Sequence, residues 1–207
     1  MIGILGGTFD PVHKGHVQIA LDVHHALGLE QTRLIPCNVP THRDMPVASA
    51  EQRCAMLELA IEGHPELSID MRELERAGPS WMVDTLSSLR QELGKTPLCL
   101  IVGVDAFNHI NTWHEWHRLI ELAHIVVVKR PEFELAKSGT VHEFYKEHMT
   151  QDKQALSEQP AGLVYQYEAT RMDISSTGIR ERIRAGEDAG KFLCPKVWSY
   201  IQKHAIY

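Results

Sequence analysis

The segment formed by residues 6–16, GGTFDPVHKGH, contains the residue types and spacings in this chain that are best suited to chemistry. Gly6 and Gly7 allow the backbone to turn sharply and to approach a ligand closely. His13 and His16 are three residues apart, so at the start of a helix both imidazoles can point to the same side. The segment therefore predicts a phosphate site, because backbone N–H groups and the helix dipole favour an anion there. A structural histidine pair and a metal site are the alternatives.

A second candidate for anion binding is the segment ISSTGIR at residues 174–180. Ser175, Ser176 and Thr177 supply hydroxyl groups at another predicted helix start, and Arg180 adds a permanent cation. The alternative interpretation is an ordinary helix cap made by the same hydroxyl groups.

Short apolar runs alternate with amphipathic stretches, and this alternation predicts the elements that position both segments. Strands are predicted at residues 2–5, 33–36, 67–71, 98–102, 124–128 and 163–168. Helices are predicted at residues 15–27, from Ser49 onwards, from a cap at Ser80 to Gly94, and at residues 112–122, 176–184 and 195–203. Residues 131–159 are more polar, and their pattern predicts no definite element.

The order of these elements predicts an α/β fold, in which a Rossmann-like, doubly wound parallel sheet carries helices on both faces. We expect one domain over residues 1–207, with about the last 35 residues forming a small helical C-terminal part. Ligands of such sheets bind beyond the carboxyl ends of the strands. Both candidate segments follow predicted strands, so we expect them to meet at that edge.

Composition narrows the classes of partner and compartment. The formal net charge of −6 does not favour a nucleic-acid partner, so phosphate binding has to be local. No stretch approaches the roughly 20 apolar residues of a membrane span, and the first residues do not resemble a secretory signal. The four cysteines are dispersed without a CxxC pair, which favours a reduced cytoplasm.

Both segments resemble signatures of the nucleotidyltransferases that carry an HxGH motif: GGTFDPVHKGH is similar to their first signature and ISSTGIR to their second, ISSTxIR. Five further stretches are similar to bacterial nicotinate mononucleotide adenylyltransferases, so the resemblance covers essentially the whole chain. They are VPTHR (39–43), ERAGPSWMVDTL (75–86), IVGVDAF (101–107), TWHEW (112–116) and KRP (129–131). The resemblance implies a single nucleotidyltransferase domain that joins ATP to nicotinate mononucleotide, giving deamido-NAD and pyrophosphate in NAD biosynthesis.

On this resemblance we assign the candidate site residues by ligand. His16 and His13 are expected to be catalytic. ATP is expected to contact Gly7, Thr8, Phe9, His13, His16, Gly103, Asp105, Ser175, Ser176, Thr177 and Arg180. Nicotinate mononucleotide is expected to contact His42, Arg43, Met82, Thr85, Trp113, His114 and Arg130. Mg²⁺ is expected to be carried on the ATP phosphates, with no metal bound directly by the protein, and the chain is expected to be a monomer or small homo-oligomer.

Two departures from the family pattern affect the mononucleotide side. Ser80-Trp81-Met82 stands where the family usually has Ser-Tyr-Thr, so a threonine hydroxyl is missing, and residues 40–43 read PTHR where PPHK is more common. Four alternatives stay open. The acceptor could be another phosphate ester, such as nicotinamide mononucleotide or phosphopantetheine, with adenylyl or cytidylyl transfer. The chain could be a non-catalytic module that binds a nucleotide or a metal. Trp113 could be a packed core residue, and Asp105 a helix cap.

Overall fold

The computed structural model describes residues 1–40, 45–129, 134–169 and 174–207. Within these ranges one parallel sheet of seven strands, in the order β3-β2-β1-β4-β5-β7-β6, forms the frame of the fold. The strands are β1 (Ile2–Gly7), β2 (Gln31–Pro36), β3 (Leu67–Ile69), β4 (Leu98–Gly103), β5 (His124–Lys129), β6 (Met149–Thr150) and β7 (Val164–Glu168). Because every described pair is parallel, the carboxyl ends of all seven strands meet at one edge of the sheet.

Helices connect the strands and close the chain. They are α1 (Lys14–Leu27), α2 (Ala50–Ile61), α3 (Arg72–Glu75), α4 (Met82–Leu93), α5 (Val104–Phe107), α6 (Leu119–Leu122), α7 (Thr140–His148), α8 (Ala155–Glu158), α9 (Ser176–Arg184) and α10 (Pro195–His204). Short 3₁₀ turns lie at Ile110–Thr112, Trp116–Arg118 and Gly190–Phe192. Among the described helices, none has the length and apolar character needed to cross a membrane.

Both faces of the sheet are buried, which confirms the predicted doubly wound α/β fold. Along β4 the side chains alternate as a strand requires: Cys99 and Ile101 belong to one apolar cluster, and Leu100 and Val102 belong to the other. The first cluster contains apolar residues of α1, α2, α9 and α10, and the second contains apolar residues of α4 to α7. The C-terminal helices therefore share a core with the sheet. Whether they form a distinct subregion of one domain stays a prediction.

The structure differs from the sequence prediction in three places. The helix predicted at residues 112–122 is wrong: two 3₁₀ turns precede the short α6, and Glu115 between them has a left-handed backbone with φ of 48°. Ser80 does not cap α4, since the cap is Trp81 and the Ser80 hydroxyl accepts the Asn38 N–H at 2.8 Å. Residues 140–158, for which the pattern predicted no element, contain α7, β6 and α8.

Candidate active site

The connection between β1 and α1 forms a tight turn at the carboxyl edge of the sheet. Phe9 lies in this turn with a positive φ of 51°, and its ring is buried at 2% exposure. A Cβ on Gly7 would lie 3.0 Å from that ring, which is a tight contact, so a glycine at this position lets the aromatic side chain cover the turn without displacement. The backbone of the turn is thus held close to the space in front of β1, where a ligand of a parallel sheet binds.

His13 and His16 are brought together at the N-terminus of α1. Their rings stack with centroids 3.7 Å apart and an interplanar angle of 21°, and the edge of Phe9 meets His16 at 5.1 Å. The His13 backbone N–H donates to Nδ1 of His16 at 3.3 Å. Because Nδ1 accepts this bond, a neutral His16 ring holds its proton on Nε2, where it can be donated to an anion. The predicted juxtaposition of these imidazoles with a helix N-terminus is therefore present in the structure.

A buried arginine from α2 joins the carboxyl ends of β1 and β2. Arg53 is 2% exposed, and its Nη1 donates to the carbonyl oxygen of Thr8 at 2.9 Å and to that of Cys37 at 2.8 Å. Thr8 follows the last residue of β1, and Cys37 follows the last residue of β2. The guanidinium thus fixes the backbone at the start of the histidine turn, the connection between β1 and α1 that ends at His13, and places a cation there.

The second candidate segment is joined to the first by hydrogen bonds across the fold. Ser176 donates its hydroxyl to the Pro11 carbonyl at 2.9 Å, and Nη1 of Arg180 donates to the Asp10 carbonyl at 2.6 Å. The Ser175 hydroxyl accepts the Gly178 N–H at 3.1 Å, so this side chain is the N-cap of α9, as the alternative interpretation stated. The structure brings the segment to the histidine turn, and contact of its residues with ATP stays a prediction.

Asp10 connects the same turn to two further parts of the chain. Its carboxylate, in a residue only 4% exposed, accepts the N–H groups of Val47 and Ala48 at 2.9 Å and 3.1 Å and the Tyr207 hydroxyl at 2.7 Å. Arg180 lies 3.8 Å away from the same carboxylate. Both carboxylate oxygens of Asp10 therefore have hydrogen-bond partners in the protein, which favours one conformation of the turn.

β4 is the parallel neighbour of β1, with pairs from Ile2–Leu98 to Ile4–Leu100, so both strands end at the same edge of the sheet. Gly103 caps α5, and a Cβ on it would lie 2.4 Å from Oδ1 of Asp105. The carboxylate of Asp105 therefore lies against Gly103 at the carboxyl edge of the sheet. Because Gly103 is the N-cap, Asp105 is not the cap of α5, and its contact with the ribose stays a prediction.

The residues predicted to bind the mononucleotide lie mostly around the start of α4. Met82 begins this helix, and its methyl group would lie 2.6 Å from a Cβ on Gly6, so the side chain reaches the end of β1. His114 stacks on Trp81 at 4.0 Å and an angle of 25°. Trp113 is half-buried and packs against the apolar cluster on this face of the sheet. Met82 and His114 are thus placed on a common surface, with Trp81 between them.

Thr85 is buried behind this surface. Its residue exposure is 0%, and its hydroxyl donates to the Glu73 carboxylate at 2.6 Å. Burial raises the pKa of Glu73, and the bonds from hydroxyl groups oppose that rise. Thr85 has no exposed surface in this conformation, and its contact with the mononucleotide stays a prediction. The assignments of His42, Arg43 and Arg130 lie outside the described residues.

Sequence reasoning did not find Asp10, Arg53, Trp81 and Tyr207, which the structure places at or beside the candidate site. Only Arg53 had a signal that could have been used: it stands on the apolar side of α2, in helical spacing with Leu57 and Ala60. A charged residue on a core-facing side is rare unless it has buried partners. The partners of the other three are distant in sequence and leave no local pattern.

Comparison with known proteins supports what this geometry indicates. The model of the cytidylyltransferase-like family matches residues 4–182 of the chain. Together with the parallel sheet and the histidine turn, this match defines a protein of the nucleotidyltransferase class. A solved structure, "Plasmodium falciparum nicotinic acid mononucleotide adenylyltransferase complexed with NaAD", has the same fold, with a TM-score of 0.74 and 17% identity over 98% of this chain and 95% of that one.

Two curated relatives define the family more closely. A "Probable nicotinate-nucleotide adenylyltransferase" of Methylococcus capsulatus is 46% identical over 100% of this chain and 99% of its own length. A protein of the same name from Hahella chejuensis is 45% identical over 100% of this chain and 95% of its own length. The chain therefore belongs to the nicotinate-nucleotide adenylyltransferase family, and the resemblance found in the sequence is confirmed.

Proposed function

We propose that this chain transfers the adenylyl group of ATP to nicotinate mononucleotide, giving deamido-NAD and pyrophosphate in NAD biosynthesis. The observation that carries the proposal is the stacked pair of His13 and His16 at the N-terminus of α1, directly after β1. The names of the full-length relatives support the same reaction, as does the solved complex of a protein of the same fold with NaAD.

The reaction requires a new bond between an oxygen of the mononucleotide 5′-phosphate and the α-phosphorus of ATP. The bond between that phosphorus and the oxygen leading to the β-phosphate breaks, and pyrophosphate leaves with the electron pair. A phosphate monoester with a second pKa of about 6 is largely dianionic at neutral pH, so the nucleophile needs no general base. The protein then has to orient the two substrates and stabilise the charge that develops on the α-phosphate oxygens.

His16 is suited to this second task. Its Nδ1 accepts the His13 N–H, so a neutral ring carries its proton on Nε2, and we assign this atom to an α-phosphate oxygen. His13 binds phosphate nearby, and the dipole of the 14-residue helix α1 adds to the attraction. Mg²⁺ enters with ATP as part of the substrate, since this ion prefers phosphate oxygens and water to a protein cage.

The other assigned residues position the two substrates. On the ATP side, the turn at Gly7, Thr8 and Phe9 and the α9 segment face the triphosphate, and Gly103 and Asp105 face the ribose. On the acceptor side, the backbone N–H groups of Met82 and His114 receive the nicotinate carboxylate, and Trp113 stacks on the ring. Met82 is the first residue of α4, where N–H groups have no partner within the helix.

Acceptor preference tests the proposed pocket. The purified chain is incubated with Mg²⁺ and ATP plus either nicotinate mononucleotide, nicotinamide mononucleotide or phosphopantetheine, and both pyrophosphate and the adenylylated product are measured. The amide would place an NH₂ donor against backbone donors, and an unpaired buried polar group costs about 1–3 kcal/mol. We expect the acid to be favoured by about ten- to a hundredfold in kcat/KM.

Two outcomes would contradict different parts of this proposal. Equal use of the acid and the amide would exclude a donor-lined pocket while leaving nucleotidyl transfer intact. Absence of pyrophosphate with every acceptor would refute nucleotidyl transfer itself. The cytoplasmic location and a monomeric or small homo-oligomeric state stay predictions; fractionation of cells and sedimentation of the purified chain test them.

A further inference from the structure

Tyr207 lies far from the two motifs in sequence, yet its hydroxyl group reaches the histidine turn. Its hydroxyl donates to Oδ1 of Asp10 at 2.7 Å, the shortest of the hydrogen bonds described for that carboxylate. Burial, together with the negative charge of Asp10, raises the pKa of Tyr207, so the phenol stays protonated throughout the neutral range. The hydroxyl can therefore act as a constant donor to the carboxylate.

The Asp10 carboxylate is shared by parts of the chain that all meet at the turn. Val47 and Ala48 precede α2, which carries the Arg53 side chain that binds the carbonyl of Thr8. Arg180 belongs to α9 and also binds the main-chain carbonyl of Asp10. Tyr207 follows α10 and packs against the apolar cluster that contains residues of α9 and α10.

Loss of the Tyr207 hydroxyl would leave Oδ1 of Asp10 with one hydrogen bond fewer. Asp10 is 4% exposed, so water cannot readily replace a lost hydroxyl donor. A buried acceptor without its partner favours any rearrangement that restores a donor, and such a rearrangement would move the turn between β1 and α1, to which Asp10 itself belongs. The apparent affinity of a ligand falls in proportion to the fraction of molecules whose site is in the competent arrangement.

We propose that Tyr207 is a positioning residue for ATP, which acts by holding Asp10 and, through it, the turn that carries His13 and His16. This inference rests on the proposed function. It goes beyond that function because Tyr207 itself lies outside the assigned ATP and mononucleotide contacts. ATP is the affected substrate because the groups that Asp10 joins, the turn and α9, both belong to the proposed ATP side.

The test compares Tyr207→Phe with the wild-type chain, and Tyr200→Phe on α10 is the matched control. The control removes a hydroxyl from a half-buried tyrosine whose ring packs against His204 at 4.3 Å and which makes no described contact with Asp10. Binding of a non-hydrolysable ATP analogue and of nicotinate mononucleotide is measured separately by calorimetry. Initial rates give kcat and KM for each substrate, and thermal melts report stability.

We expect Tyr207→Phe to lower the affinity for the ATP analogue by about tenfold, in line with the loss of one hydrogen bond to a charged group. Mononucleotide binding should change by less than about twofold, and kcat at saturating ATP by less than about threefold. The KM for ATP should therefore rise while kcat is largely kept, because saturating ATP restores the competent arrangement of the turn. Tyr200→Phe should match the wild-type chain in all of these measurements.

Three results would overturn the proposal. The first is a lower melting temperature with unchanged affinity for the analogue, which would reduce Tyr207 to a structural role. The second is an equal loss of affinity for the ATP analogue and for nicotinate mononucleotide. The third comes from a double-mutant cycle with Asp10→Asn: additive losses of ATP affinity would mean that Tyr207 does not act through Asp10. If the wild-type chain forms no dinucleotide, the proposed function fails, whereas the analogue-binding comparison still decides the role of Tyr207.

Discussion

Replacement of Arg53 by methionine tests whether the buried guanidinium supports the site. The side chain is among the largest that are fully buried in the described structure, and it binds two main-chain carbonyls, those of Thr8 and Cys37, at 2.9 Å and 2.8 Å. Methionine has a similar length and is apolar, so Arg53→Met removes the donors without opening a large cavity. It leaves both carbonyls, at the ends of β1 and β2, without their charged partner.

The expected cost follows from these contacts. Each buried acceptor left without its donor costs about 1–3 kcal/mol, which gives roughly 2–6 kcal/mol for the two carbonyls. Methionine also relieves the burial of a charge, and Nε of Arg53 has no hydrogen-bond partner in the described part of the chain. We therefore expect a net loss of about 2–4 kcal/mol in the free energy of unfolding. At about 2–4 °C per kcal/mol for a chain of this size, the melting temperature should fall by about 4–16 °C.

Calorimetric or circular-dichroism melts measure this change, and Arg182→Met provides the matched control. Arg182 makes its ion pair with Glu187 at 2.8 Å while both side chains are about half exposed, so its removal should change stability by no more than about 0.5 kcal/mol. Arg53→Lys keeps the charge and should lie between Arg53→Met and the wild-type chain. An Arg53→Met protein that melts within about 2 °C of wild type would refute the reasoning, because the two bonds would then contribute nothing to the fold.

Three further predictions concern the site and its pH dependence. His16→Ala should lower kcat by a factor of about 10²–10³ without changing the melting temperature. The exposed control His25→Ala should keep full activity. A near-normal kcat in a folded His16→Ala protein would show that His16 has no catalytic role. Trp113→Ala should raise KM for the acid and amide mononucleotides alike. An unchanged KM would mean that Trp113 only packs against the core and does not contact the acceptor. Burial lowers the pKa of His124 in the folded chain from its ordinary value of 6.5, so its contribution to stability is present above that pH and is lost as the pH falls below it. Melting temperatures measured from about pH 7.5 to about pH 5 should fall less steeply for His124→Gln than for wild type; parallel curves would contradict this.

The central strands and the histidine turn could be predicted from the sequence because each depends on a few consecutive residues. The runs at β4 and β5 are apolar at nearly every position, and only a strand covered on both faces buries such a run. His13 and His16 are separated by less than one helical turn, so their proximity follows from local geometry. The same holds for the Ser49 cap of α2, which accepts the N–H of Gln52 as its spacing predicts.

Local patterns failed where tertiary contacts override them. Residues 112–122 have helical spacing, yet the backbone at Glu115 is left-handed and the segment breaks into 3₁₀ turns around Trp113 and Trp116, both packed against the core. Ser80 has the residue type of a helix cap, but its hydroxyl binds Asn38, which lies 42 residues earlier in the chain. In both cases a side chain finds a partner that the neighbouring sequence does not contain.

The sequence by itself determined the fold class, the histidine turn and the family to which both motifs point. Only the tertiary structure decided how the turn is held, through Arg180 and Tyr207, which are 170 and 197 residues from Asp10. It also placed Arg53 beside the turn and buried Thr85 against Glu73. The physical reason is that periodicity specifies which side of an element faces the core, whereas the partner of each buried polar group depends on how the elements pack against one another.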